Sequence, residues 1–314
     1  MSSPLRVGVV GVGYLGQIHA RIYAGMPEVE LTAVADTDLA TAEKVAKAHG
    51  CEAFADARAL LGRVDAVSIV VPTVAHLAVA RPFLAAGVHM LMEKPLAPTY
   101  EEALELVELA ERSKAVFQVG HLERFNAGVM ALAEHVQAPR FIEVHRLGTF
   151  VERATDVDVV TDLMIHDLDI VMSLVGAPVK DVAAVGVPVL TEHVDIANAR
   201  IEFANGAVAN ITASRVSNKK QRRIRVFAPN RYYALNYIDQ QIEVARATPR
   251  SGARPDVTVE TLAIQPQQPL DAELKAFVHT INTRGTPLVT GRTALEALKL
   301  ALLVKEKIAA CPPT

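Results

Sequence analysis

The chain has 314 residues, 51% of them hydrophobic and 21% charged, with 32 Lys and Arg against 35 Asp and Glu and a formal net charge of -3. That length suits two domains with a substantial core, and the mildly acidic balance argues against broad nucleic-acid or anionic-membrane binding. The only cysteines, Cys51 and Cys311, lack CxxC spacing, which argues against a disulfide framework or zinc site and for a reducing cytoplasm; no apolar run reaches the roughly 18 residues of a membrane span, and no signal peptide precedes the first strand.

Up to about residue 120, short β-branched runs alternate with helical patterns. Strands are predicted at 6–10, 31–35, 66–71, 89–92 and 115–119, with a short one near Ala53–Phe54. Helices are predicted around 14–26, 38–49, 75–86 and 99–113, with Asp38 and Thr99 as N-caps and Glu102 completing a capping box with Thr99. Near-continuous apolar strands alternating with helices imply a doubly wound parallel sheet, an α/β Rossmann domain over residues 1–122.

"VGVVGVGYLG" places Gly11, Gly13 and Gly16 in GxGxxG spacing between the first strand and the first helix, with Tyr14 and Leu15 inside the loop. The first glycine permits the tight turn, the second lets backbone approach a pyrophosphate, and the third lets helix pack on strand. The helix N-terminus then offers N–H donors to phosphate. Asp36 closes the second strand 20 residues after Gly16, where a carboxylate accepts both ribose hydroxyls and repels a 2′-phosphate. The expected cofactor is therefore NAD rather than NADP. Tyr14 either lines the cleft or packs.

"LMEKPLAP" ends the strand at 89–92 with Glu93 and Lys94 locked against Pro95. Lys94 thus sits past the carboxyl end of a parallel strand, on the side where such sheets bind ligands.

Beyond about residue 122 strands follow one another directly: 140–150, 180–189, 195–204, 207–216, 222–228, 231–238, 241–247 and 256–264. Asn205-Gly206 is a hairpin signal, since both residues tolerate positive φ. One helix is expected near 161–175 and two more at 270–284 and 292–309. The second domain, 123–314, is thus α+β with a large, mostly antiparallel, open-faced sheet, and its last helix is free to pack back on the first domain.

"DLMIHDLD" sets Asp162 and His166 four apart and Asp169 three further on, all on one face of an α-helix. A carboxylate one turn from an imidazole orients it and raises its basicity. A buried polar network, or a capped helix with a surface histidine, would use the same residues. A metal site would too, but nothing else in the sequence completes its shell, and no metal is expected.

The GxGxxG loop, "VVPTVAH" (70–76), "VHMLMEKP" (88–95) and the Asp162-xxx-His166 helix together resemble the glucose–fructose oxidoreductase/inositol dehydrogenase (Gfo/Idh/MocA) family over most of the chain. The resemblance implies an NAD-dependent dehydrogenase acting on a sugar or polyol hydroxyl, in which Lys94 polarises the hydroxyl, His166 is the general base and Asp162 orients it. It also implies that the Lys94–Pro95 peptide is cis, and that Glu93 and the turn Pro72, Thr73 and His76 line the cofactor; a plain strand exit with a surface His76 is the alternative. "VGHLERFN" (119–126) and "VDVVTDLMIHDLDIVMSLVG" (157–176) look more narrowly like the branch oxidising UDP-N-acetylglucosamine at C3. A non-catalytic sensor of dinucleotide and sugar is the rival reading, disfavoured by the intact Lys94, Asp162 and His166. The family further implies a dimer or homotetramer built through the open sheet face.

His121, Glu123 and Arg124 fall at the domain junction, either in the substrate cleft or in an interdomain salt bridge. Arg153, Asp156 and Asp158 precede the helix of His166 and either hold a sugar or diphosphate or form a solvated loop. "NKKQRRIR" (218–225) packs five basic residues into one segment, either an exposed strand edge kept soluble by charge or a subunit contact or phosphate site. His19 reads as a packing residue.

Overall fold

The computed structural model describes residues 3–150, 157–248, 250 and 254–310. In chain order the elements are β1 (Leu5–Val10), α1 (Tyr14–Ala24), β2 (Val29–Ala35), α2 (Leu39–His49), β3 (Glu52–Phe54), β4 (Ala66–Ile69), α3 (His76–Ala85), β5 (His89–Glu93), α4 (Tyr100–Ser113) and β6 (Phe117–Gly120). Then come α5 (Ala127–His135), β7 (Phe141–Leu147), α6 (Ile165–Val175), β8 (Val179–Val187), β9 (Ile196–Phe203), β10 (Val208–Ser214) and β11 (Gln221–Ala228). The chain ends with β12 (Arg231–Asn236), β13 (Gln241–Thr248), β14 (Asp256–Thr261), α7 (Pro269–Thr283) and α8 (Gly291–Ala309). It divides into two units, residues 1–122 with 270–295, and 123–269 with 296–314.

The first unit holds a six-stranded parallel sheet in the order β3-β2-β1-β4-β5-β6, the doubly wound order of dinucleotide-binding folds. Its central strands are largely apolar and buried because helices cover both faces: β4 and β6 are buried at every position. Helix ends follow local chemistry. Asp38 accepts from the N–H groups of Ala40 and Thr41 ahead of α2, and Thr99 accepts from Glu102 N–H ahead of α4. Residues 270–295 belong with this unit rather than with the second domain expected over 123–314. The reason is apolar burial: Leu274, Phe277, Val278 and Ile281 of α7 join Val7, Val9, Ile22, Tyr23 and Leu91 in one core.

The second unit holds eight strands in the order β14-β13-β12-β11-β7-β10-β9-β8. All neighbours are antiparallel except β7 and β10. Alternation is clean on β7, where Ile142, Val144 and Arg146 are buried while Phe141, Glu143, His145 and Leu147 are half-exposed. The Asn205-Gly206 hairpin forms, but only Gly206 takes positive φ (79°). Asn205 instead accepts from Ala207 N–H through its side chain at 3.0 Å, an Asx turn.

Three expectations change. The segment at 218–225 is no sheet edge: β11 lies between β12 and β7. Its Ile224 and Val226 are fully buried, and two of its three arginines are ion-paired, Arg222 with Glu123 and Arg225 with Glu143. Helix α5 was not expected; Asn126 caps it by accepting from Gly128 N–H. Ahead of α6, residues Val160–Met164 form a π-helical turn rather than the start of an α-helix. Asp158 anchors that turn, accepting from Val160 and Thr161 N–H at 3.0 and 2.9 Å and pairing with Lys305 at 2.8 Å. Its role is thus a cap rather than a ligand for sugar or diphosphate.

Candidate active site

A cleft of about 850 Å³ opens at the carboxyl ends of the first unit's strands, among Gly11, Gly13, Leu15, Asp36, Pro72 and Lys94. Its floor is set by two glycines that no other residue can replace. Gly11 has φ +83°, and a Cβ there would lie 2.5 Å from the Val70 carbonyl oxygen; a Cβ on Gly16 would run into the Gly11 carbonyl oxygen. Gly13 differs: a Cβ there would meet nothing within 4 Å. It faces open cleft beside the α1 N-terminus, a cradle of the kind that takes a pyrophosphate.

Asp36 sits at the cleft wall with its carboxylate held by backbone, accepting from Val12 N–H at 2.8 Å and Asp38 N–H at 3.0 Å. Asp56, past the end of neighbouring β3, lines the same cleft, and Lys94 is the sole basic residue among the described residues that line it. A ribose diol suits this wall. The residues present therefore fit a nicotinamide dinucleotide. Asp56, Thr37, Ala55 and Ala57 were not singled out in the sequence, although their place just past β2 and β3 is the signal that ligands of such sheets gather there.

Other expected lining residues fall elsewhere. Tyr14, the first residue of α1, is 75% exposed. Thr73 opens a 3-10 turn over Thr73–Ala75; Pro72 and Ala75 line the cleft and Thr73 is not among the lining. His76 is neither surface nor lining: it is 1% exposed, with Nε2 3.0 Å from the Val71 carbonyl and Nδ1 3.2 Å from the Leu96 carbonyl. It pins the loop after β4 to the loop after β5. Burial pushes its pKa down.

Lys94 follows β5 directly, and the Lys94–Pro95 peptide is cis. Glu93 and Lys94 both line the cleft. Glu93 is buried, with its Oε1 3.3 Å from Nε2 of His19, so His19 does more than pack. His121 follows β6 and is buried.

In the second unit, the π-turn breaks the simple one-face spacing of Asp162, His166 and Asp169. Asp162 lies in the turn, while His166 and Asp169 lie in α6, both buried. Asp169 is engaged by Arg124 at 3.4 Å, a pair that lies within one unit. Arg153 and Asp156 lie outside the described residues.

The group next to His166 was missed. Asp167 receives a two-pronged contact from Arg146, Nε to Oδ2 at 2.6 Å and Nη2 to Oδ1 at 2.9 Å, plus the Tyr237 hydroxyl at 3.2 Å. The third arm of Arg146 reaches Glu123 at 2.8 Å, and the guanidinium lies 5.2 Å from the Tyr237 ring centre. Opposing carboxylates hold the buried Arg146 pKa well above its usual value, overriding the cost of burial. Planar fork-to-carboxylate geometry of this kind fixes orientation as well as charge. It anchors α6, and with it His166, to β7. Period-2 parity was the available signal, since Arg146 shares the inward face of Ile142 and Val144.

Chemically, the first unit offers a cleft fit for a dinucleotide with a lysine among its lining residues, and the second offers an imidazole and carboxylate on an anchored segment. Residues 5–121 match the family model described as "Oxidoreductase family, NAD-binding Rossmann fold", and residues 129–231 match the GFO/IDH/MocA C-terminal domain. The chain is 38% identical over 308 residues to UDP-N-acetylglucosamine 3-dehydrogenase of Acidithiobacillus ferrooxidans, covering 98% of each. The solved structure of an A. ferrooxidans UDP-N-acetylglucosamine 3-dehydrogenase superposes with a TM-score of 0.91 at 37% identity, over 98% of this chain and 99% of that one. Inositol 2-dehydrogenase of Rhizobium meliloti is 27% identical over 315 residues, covering 95% of this chain and 94% of that one.

Proposed function

Because the chain belongs to the GFO/IDH/MocA family of NAD-binding oxidoreductases, we propose that it oxidises a secondary hydroxyl of a nucleotide sugar, UDP-N-acetylglucosamine at C3, to a ketone. Lys94 carries the reading: it lines the dinucleotide cleft, where its ammonium would hold a substrate hydroxyl as alkoxide character develops. His166 takes the hydroxyl proton, and Asp162 orients the ring. The bound nicotinamide supplies the acceptor for the hydride leaving carbon. The choice of sugar rests on the 38% identity that spans the chain.

The experiment is NADH formation, followed by absorbance, with UDP-sugars and free polyols and with a ketone trap to pull the equilibrium. A signal with UDP-N-acetylglucosamine alone is expected. A signal with polyols alone would move the assignment to an inositol-type dehydrogenase, the reading that the inositol 2-dehydrogenase likeness favours. Silence with dinucleotide bound would leave the sensor.

NAD is preferred over NADP on this reading, since Asp36 and Asp56 give the ribose wall two carboxylates. Asp36→Ala should weaken NAD binding about tenfold, the worth of one charged hydrogen-bonding group, and leave NADP nearly unchanged. Equal affinities for the two cofactors in the native protein would overturn the preference. The working form is a cytoplasmic homo-oligomer, dimer or tetramer. It is supported by the aromatic stack of Phe141, Phe227 and Tyr232 on the open sheet face, with ring centres 5.6 and 5.0 Å apart, and is measurable by sedimentation.

A further inference from the structure

π-helical turns are uncommon and recur at functional sites, and the one ahead of α6 is held from outside. Ile165 N–H donates to the Val160 carbonyl, five residues back, and Asp162 sits in the middle of the turn. One anchor is Val159 N–H, which donates to the Val194 carbonyl at 2.9 Å. Asp158 supplies the rest. Its Oδ1 accepts from Val160 and Thr161 N–H, and its backbone carbonyl accepts from Asp162 N–H at 3.1 Å. Its Oδ2 meets Nζ of Lys305, on the terminal helix α8, at 2.8 Å.

Both anchors are themselves fixed. Val194 precedes Asp195, whose buried carboxylate accepts from Val189, Leu190 and Thr191 N–H and from Nε of Arg215 at 2.7 Å. Lys305 lies one turn before Ile308 on the same side of α8. A Cβ at Gly186 of β8 would come within 2.9 Å of the Ile308 side chain and 2.7 Å of that of Val194. The last turns of α8 are thus seated on β8 beside Val194, with the Lys305 side chain laid against Asp158. Asp158 is the more buried partner, its side chain 13% exposed against 43% for Lys305. Burial pushes its carboxyl up, but Lys305 and Thr161 outweigh burial and hold it below the usual range.

We propose that Lys305 is a positioning residue for the reaction: through Asp158 it fixes the π-turn, and with it the place of Asp162 ahead of His166. This inference rests on the reading in which Asp162 and His166 serve the hydroxyl proton, and it is independent of which sugar is oxidised.

The test takes three readouts on the whole protein. They are kcat with NAD+ and UDP-N-acetylglucosamine or inositol, Kd for NAD+ by fluorescence, and hydrogen exchange across residues 160–164 by mass spectrometry. Lys305→Met should lower kcat about tenfold, since a small misplacement of a reacting group from a distance is enough for that. It should also speed exchange across the turn and leave Kd for NAD+ close to native. Lys305→Arg should return both kcat and protection, a rescue that a general loosening of the fold would not show. Asp158→Asn keeps an oxygen for the two N–H groups but removes the charge that Lys305 meets, so it should match Lys305→Met. The double variant should be no worse than either single one, because one clamp is lost only once. Native kcat or unchanged exchange across the turn in Lys305→Met would overturn the proposal, as would losses that add in the double variant. A native protein that binds NAD+ but turns over neither substrate would instead sink the dehydrogenase reading, and exchange across the turn would still decide whether Lys305 holds it.

Discussion

Lys94→Ala should cut turnover by about a thousandfold, the usual worth of one preorganised charge at a developing oxyanion, and leave nicotinamide dinucleotide binding close to native. The two effects separate because the cleft has other anchors. On the proposed reading the glycine floor, the open cradle at Gly13 and the Asp36 carboxylate would hold the dinucleotide, whereas Lys94 is the one ammonium among the described residues that line the cleft. Stopped-flow NADH formation gives the first number and fluorescence titration the second. Turnover within tenfold of native would mean that the hydroxyl is polarised by something else. A collapse of dinucleotide affinity would make Lys94 a cofactor anchor instead.

The largest expected change in stability lies in the other unit. Arg146→Met would leave Asp167 and Glu123 buried without their main partner, and breaking a buried ion pair from one side costs about 3–5 kcal/mol. For a unit of this size that is a fall in Tm of roughly 10 °C. Arg146→Lys should recover only part of it, since a single ammonium cannot meet both oxygens of Asp167 and reach Glu123 together. Scanning calorimetry decides the matter; a loss under about 1 kcal/mol would show that the two acids find other partners, with Arg222, already 3.4 Å from Glu123, the first to look for.

Periodicity and punctuation made much of this architecture legible. The parallel sheet came from apolar runs separated by helical patterns, and the caps at Asp38 and Thr99 were readable because capping chemistry is local. The eight strands after β6 were legible for a similar reason: period-2 alternation survives wherever one face is solvated. What failed was non-local. β11 carries enough charge to look like an edge, and only its partners β12 and β7 reveal it as interior. The π-turn at Val160–Met164 is invisible to any reading that assumes 3.6 residues per turn, so the shared face of Asp162, His166 and Asp169 was drawn too simply. Helix α5 is short and carries Gly128, which weakens a helical pattern; its signal was Asn126 ahead of Val129 and Leu132. The site's glycines, Asp36 and Lys94 were legible as motif, whereas Asp56 and Arg146 required the fold.

Helix α7 gives the first unit a peculiar history. Its Phe277 and Leu274 complete a core begun by Val7 and Val9, yet the ribosome makes them only after the whole of β7 to β14. While that long insert is being synthesised, the nascent dinucleotide domain displays an uncovered apolar face, the condition under which emerging chains are captured by chaperones or by one another. A fragment cut after β6 would carry the glycine motif intact and still lack its lid of leucine and phenylalanine. Expression of the nucleotide-binding half as a separate piece therefore calls for excision of the insert between β6 and α7, with the α7 segment joined directly after β6.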